Sequence, residues 1–204
     1  MNMVHVFSTP IWESIFPFHL ENRESFLECV KNFYERHSQS EEKYNGGDAY
    51  KSPMNLTGEE ALSPLFNFIC HMGQKAAFDL QLVDVDVYLS AAWVNIHNNR
   101  SCVQFDHVHQ DTFSGVFYLQ VPEKSGMLVL NNPGLNPLWQ GAMLVDTKNK
   151  FNCDKLKIMP TEGQAYIWPS YLSHSVEPNQ HDEERISISF NIIAVPKGYV
   201  AHTK

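Results

Sequence analysis

The chain has 204 residues, 43% of them hydrophobic and 12% aromatic, a length suited to one domain with a sizeable core. Its formal net charge of -8 and the lack of clustered Lys and Arg argue against a nucleic-acid backbone as partner, and no apolar run reaches the length of a membrane span. Four cysteines, Cys29, Cys70, Cys102 and Cys153, stand far apart with no Cys-x-x-Cys pair and read as reduced thiols. The first residues lack the basic start and apolar core of a signal peptide, so the expected compartment is cytoplasmic.

In chain order, residues 3–12 read as a short first strand, at a sheet edge, that meets Pro10 and then Pro17. From Glu21 the pattern turns helical, with Phe26, Leu27, Val30, Phe33 and Tyr34 on one stripe that ends near His37. Residues 38–56, with Gly46-Gly47 and Pro53, form a loop long enough to act as a lid. Thr57-Gly-Glu-Glu60 has the form of a capping box, and Leu62, Leu65, Phe66, Ile69 and Ala76 carry a second helix to about Leu80. Pro64 either sits in its first turns or delays its start.

From Val83 the period is two: Val83, Val85, Val87 and Leu89 alternate with Asp84, Asp86 and Tyr88, and Ala92–Ile96 makes a further strand. More strands are expected at 103–109, 113–121, 126–130, 153–159, 163–168, 174–177 and 185–195. The Pro/Gly/Asn-rich connection 131–150 is placed to carry substrate contacts. Short strands at near-regular spacing indicate a mainly β sandwich or jelly roll with flanking helices. The expected layout is a single domain over 1–204, with a strand and supporting helices in 1–82 and the β core in 83–195.

Side chains alternate along a strand, so His107, His109 and Asp111 are expected on one face of the strand at 103–109 and its continuation. His174 follows the turn-like Trp168-Pro-Ser-Tyr-Leu-Ser, and a neighbouring strand would bring it up to that face. Two ligands from one strand and one from another is the layout of non-haem Fe(II) sites with open positions. Two assignments fit: His109 and Asp111 with His174, which supplies a carboxylate, or His107 and His109 with His174, which puts a histidine in its place.

The last strand separates Ile186, Ile188, Phe190 and Ile192 from Arg185, Ser187, Ser189 and Asn191. A polar face inside a closed β structure costs free energy unless something hydrogen-bonds to it, and a dicarboxylate held by Arg185 would do so. The bland alternative is a solvated face with Arg185 paired to Asp182, Glu183 or Glu184. Tyr118 and Asn95 lie on expected core strands and could donate to the same dicarboxylate. Trp93, Trp139 and Trp168 read as packing residues, with Trp139 in the candidate substrate loop. His5, His19, His37, His71, His97, His181 and His202 read as unrelated to the cluster.

His174-Ser-Val-Glu-Pro-Asn, Arg185-Ile-Ser-Ile-Ser-Phe-Asn191, the His-x-His followed by Ser114-Gly-Val-Phe-Tyr118, and the turn Pro122-Glu-Lys-Ser-Gly126 occur in fixed order, after an opening Val6-Phe-Ser-Thr-Pro-Ile-Trp12. This ordered set resembles the 2-oxoglutarate/Fe(II)-dependent oxygenases that recur in marine bacteria and their phages. The resemblance implies a double-stranded β-helix, a cupin-like jelly roll, that uses Fe(II) and 2-oxoglutarate to hydroxylate a substrate with release of succinate and CO2. It favours His107, His109 and His174 as metal ligands, with no catalytic residue beyond them, and Arg185 with Ser187 as the 2-oxoglutarate site. The family's motif usually continues Pro-Gly where this chain has Gln110-Asp111, which keeps Asp111 open as a ligand in place of His107.

Two other functions share these residues: a cupin-like three-histidine thiol dioxygenase that needs no keto acid, and a non-catalytic jelly-roll binding module. The prime substrate is expected to be a small molecule or an amino-acid or protein side chain, with no nucleic-acid or membrane partner. Edge strands and exposed aromatics are compatible with a homodimer.

Overall fold

The structure, a computed structural model, describes residues 8–37, 49–98, 104–134 and 153–198. The expected strand at 3–7, the lid reading of 38–48, Cys102, Trp139 and the connection at 135–150 lie outside the described residues.

Strand β1 is Trp12–Ile15, later than the expected 3–12: it lies between Pro10 and Pro17, and it forms the edge of a sheet by pairing with Gln164–Ile167. Helix α1 (His19–His37) follows directly, with acidic Glu21 in its first turn and Arg36 and His37 in its last, the order that suits the helix dipole. A short strand β2 (Ala49–Lys51) interrupts what the sequence suggested was a continuous loop. Two single 3-10 turns, Leu56–Gly58 and Glu60–Leu62, then replace the capping box, and helix α2 (Ser63–Asp79) starts only at Ser63. The cause is Pro64, which fits the first helical turn, where no backbone N–H is required, but not a position further in.

The β region comprises β3 (Val85–His97), β4 (Gln104–His107), β5 (Phe113–Gln120), β6 (Leu128–Asn131), β7 (Lys155–Ile158), β8 (Gln164–Pro169), β9 (His174–Val176) and β10 (Arg185–Pro196). Every strand pairing is antiparallel. The six-stranded sheet runs β1-β8-β5-β10-β3-β2 and the four-stranded sheet β4-β9-β6-β7. The two stretches expected at 83–89 and 92–96 are one long strand, β3. It pairs along its length with β10 and absorbs the mismatch in a register shift at Asn191/Ile192.

Helices α1 and α2 cover one face of the large sheet. Phe26, Val30, Phe33, Leu65 and Ile69 pack there against Phe113, Phe117, Ile188 and Phe190, all fully or nearly fully buried. Full burial of each such side chain contributes about 1.5–3 kcal/mol. The opposite face of the same sheet meets the small sheet around Val116, Tyr118, Leu128, Leu130 and Trp168. Strand β5 is therefore buried on both faces, which is why Phe113–Leu119 reads apolar almost throughout. The polar residues of β10 point into the space between the sheets, so the architecture is a jelly roll braced by helices. No helix among the described residues is long and apolar enough to cross a membrane.

Candidate metal centre

Strands β4 and β9 pair so that His107 lies opposite His174. His109, two residues past the end of β4, is held by its own backbone N–H, which donates to Ser170 O at 3.0 Å. The three side chains form a group whose ligand atoms all lie within 4.8 Å of one another. Strand geometry ends at His107, so the expected alternation does not extend to Asp111. That carboxylate lies outside the group and accepts a hydrogen bond from Ser90 Oγ at 2.8 Å.

Two of the rings are fixed by backbone carbonyls: His107 Nδ1 donates to Phe105 O at 2.8 Å and His174 Nδ1 to Leu172 O at 2.9 Å. A carbonyl can only accept, so both Nδ1 atoms carry the proton and both Nε2 lone pairs are free to bind a metal. Burial and neighbouring His107 push His174 down to about 3, and burial followed by His107 also lowers His109. At neutral pH these two rings are thus neutral imidazoles, the charge state that metal ligation requires. Three imidazoles suit iron, zinc, copper or nickel better than magnesium or calcium.

The group lies at one end of a pocket with about 440 Å³ of empty space including its mouth. Trp93 and Trp168 flank it, their rings 5.8 Å from His109 and 4.9 Å from His174. Among the described residues, both indole N–H groups are buried without a hydrogen-bond partner, and such orphan donors in a pocket fit a ligand that brings acceptors.

Arg185, 1% exposed, lies at the other end. Its Nη1 donates to Ser125 O at 3.0 Å and Gly126 O at 3.4 Å, and its Nη2 to His97 Nδ1. Arg185 therefore does not occupy a solvated strand face. Gly126 allows this arrangement, since it adopts φ +80° and a Cβ there would lie 2.5 Å from Pro178 O. Ser187 and Tyr118 are register partners beside Arg185, Ser187 also faces Asn95, and Asn95 Nδ2 donates to Ser189 Oγ at 2.9 Å. Burial pushes the Tyr118 phenol up to about 12, against the pull of Arg185, so it is neutral and able to donate.

His97 is the residue that the sequence reading set aside. It pairs with Arg185 in the β3–β10 register, is 3% exposed, and is held well below the usual histidine range by burial and then by Arg185. The signal was the alternation Trp93, Asn95, His97 on one face of β3.

A jelly roll with a three-histidine group at one strand pair and a buried arginine lining the same cavity is the layout of the non-haem oxygenase class. Residues 91–191, which carry the cluster and Arg185, match the model of the family described as "Putative 2OG-Fe(II) oxygenase". On that match the protein is an Fe(II)- and 2-oxoglutarate-dependent oxygenase. No curated protein sequence matches the chain.

Solved structures similar in fold include the prolyl-4-hydroxylase of Pseudomonas putida, at 14% identity and TM-score 0.61 over 90% of this chain and 93% of that one. The non-haem alpha-ketoglutarate-dependent epimerase SnoN from nogalamycin biosynthesis matches at 14% identity and TM-score 0.66, over 94% and 81%. The viral collagen prolyl hydroxylase of Paramecium Bursaria Chlorella virus-1 matches at 14% identity and TM-score 0.55, over 91% and 96%.

Proposed function

We propose that His107, His109 and His174 hold Fe(II), and that Arg185, with Ser187, Tyr118 and Asn95 beside it, receives the distal carboxylate of 2-oxoglutarate. The outcome is then hydroxylation of an unactivated C–H bond. The observation that carries this reading is the placement of three mutually close imidazoles and a fully buried guanidinium at opposite ends of one pocket.

Fe(II) with 2-oxoglutarate and oxygen supplies the oxidising chemistry, the co-substrate leaving as succinate and CO2. The chain supplies the rest. Arg185 is pre-oriented by Ser125 O, Gly126 O and His97, so little order is lost when it meets a carboxylate. Trp93 and Trp168 narrow the space around the histidines and exclude water. Three histidines without a carboxylate among the described residues also suit a thiol dioxygenase that needs no keto acid, and the family match over residues 91–191 is what favours the 2-oxoglutarate reading.

The prime substrate is a small molecule or an amino-acid or protein side chain, in keeping with structural neighbours named for prolyl hydroxylation and for nogalamycin biosynthesis. We read the chain as one domain, cytoplasmic and compatible with a homodimer, and its kinship with marine-bacterial and phage members rests on sequence motifs.

The test is an anaerobic titration of the apoprotein with Fe(II) and then 2-oxoglutarate, following the weak visible charge-transfer band. The band is expected only after both additions, and Arg185→Ala is expected to need much more 2-oxoglutarate. A wild-type protein that binds Fe(II) and yet shows no band would sink the co-substrate reading.

A further inference from the structure

The third ring of the cluster is held differently from the other two. His109 Nδ1 faces no carbonyl of its own segment; it faces the side-chain amide of Asn191, with Nδ2 at 3.5 Å, a long and weak contact. The other end of that amide, Oδ1, accepts from Ser114 Oγ at 3.1 Å, and Ser114 Oγ lies 2.7 Å from Ser170 Oγ. Asn191, Ser114 and Ser170 are 4%, 2% and 1% exposed, so the chain of polar groups is sealed from water.

With Nδ2 toward the ring, His109 Nδ1 must be the acceptor and the ring proton sits on Nε2. That tautomer has no Nε2 lone pair for a metal. The two ends of an amide are interchangeable in size and shape. Ligation through Nε2 puts the proton on Nδ1, and that N–H needs an acceptor in a buried place.

We propose that Asn191 is the positioning residue that sets the tautomer of His109. With metal bound, the amide stands the other way round: Oδ1 accepts from His109 Nδ1–H, Nδ2 donates to Ser114 Oγ, and Ser114 donates to Ser170 Oγ. The ring proton moves from Nε2 to Nδ1 by exchange through solvent, and no net charge is gained or lost. This rests on reading His109 as a ligand. Its consequence is specific to a cluster of three neutral rings, which offers no carboxylate to offset the metal charge. An acceptor behind Nδ1–H raises the basicity of the ring and so strengthens the bond to the metal.

The experiment uses Co(II) alone as probe, added to chelator-treated protein and followed by its d–d absorption, with no 2-oxoglutarate present. Asn191→Leu is expected to lose about 10–100-fold in Co(II) affinity and to shift the band. Asn191→Asp, which can only accept, is expected to bind at least as tightly as wild type. In the Zn(II)-loaded wild type, a protected His109 ring N–H signal is expected in the proton–nitrogen NMR spectrum, and it is lost in Asn191→Leu.

Wild-type affinity and spectrum in Asn191→Leu, or an Asp variant as weak as the Leu one, overturns the proposal. Should the Leu variant fail to fold, the Asp variant and the wild-type ring N–H signal still decide it. His109→Ala separates the two levels. If it leaves Co(II) binding unchanged, the three-histidine reading fails and this proposal with it. A failure of 2-oxoglutarate binding leaves the Co(II) result standing.

Discussion

His97 shows how much one buried ring can do without touching the metal group. Its Nδ1 accepts from Arg185, so it must be neutral for the guanidinium to keep that partner. Burial first, and Arg185 second, hold it well below the usual histidine range. The unfolded chain, by contrast, takes up this proton near pH 6.5. Between that pH and the lower folded value the unfolded state binds more protons. Stability is therefore fully present above about pH 6.5 and is lost as pH falls. One such group contributes a slope of about 1.4 kcal/mol per pH unit in that window. Urea unfolding of the apoprotein at pH 7, 6 and 5 should show His97→Gln losing stability less steeply than wild type, by about that slope. Equal slopes would mean that His97 is protonated in the fold and is not Arg185's acceptor.

At the scale of elements, β5 and β10 build the large-sheet wall of the pocket, and Gly115 fixes how closely their neighbours approach. A Cβ on Gly115 would run into the Phe190 ring and lie 2.5 Å from Tyr166 O, which belongs to the paired strand β8. The ring could turn, but the carbonyl is part of the ladder and cannot give. Gly115→Ala should cost about 1–3 kcal/mol, read as a lower urea midpoint with unchanged slope. A midpoint equal to that of wild type would show that the sheet has slack at this place.

The same strands explain what the sequence made legible. The alternation of β10 is local, so Arg185, Ser187 and Asn191 could be assigned to one face from periodicity alone. The ends of elements were not local. Helix α2 starts late because Pro64 fits only the first turn, and Asp111 leaves the histidine face because β4 stops at His107 and a bend follows. The role of His97 depends on register with a residue 88 positions away, which no window of sequence contains.

For the whole molecule, the three histidines sit where the small sheet is most weakly secured. β4 and β9 are only four and three residues long, and among the described residues β4 pairs with β9 alone. The helix-backed sheet has its own core and does not depend on this corner. A metal held by His107, His109 and His174 would tie β4, the segment leading into β5, and β9 together in the native state. The unfolded chain has no such site, so binding adds directly to stability. At a free metal concentration 100 times Kd the gain is about 2.7 kcal/mol, which for a chain of this size corresponds to a Tm rise of about 5–10 °C. Chelator treatment should lower Tm by that amount, and re-addition of Fe(II) without oxygen, or of Co(II), should restore it. His174→Ala should melt near the apoprotein and show no such rise. Hydrogen exchange should slow on metal binding in β4 and β9 and scarcely change in α1 and α2. A metal-dependent Tm rise that survives in His174→Ala would place the binding site elsewhere, and protection that falls mainly on the helices would mean that the small sheet is not what the metal secures.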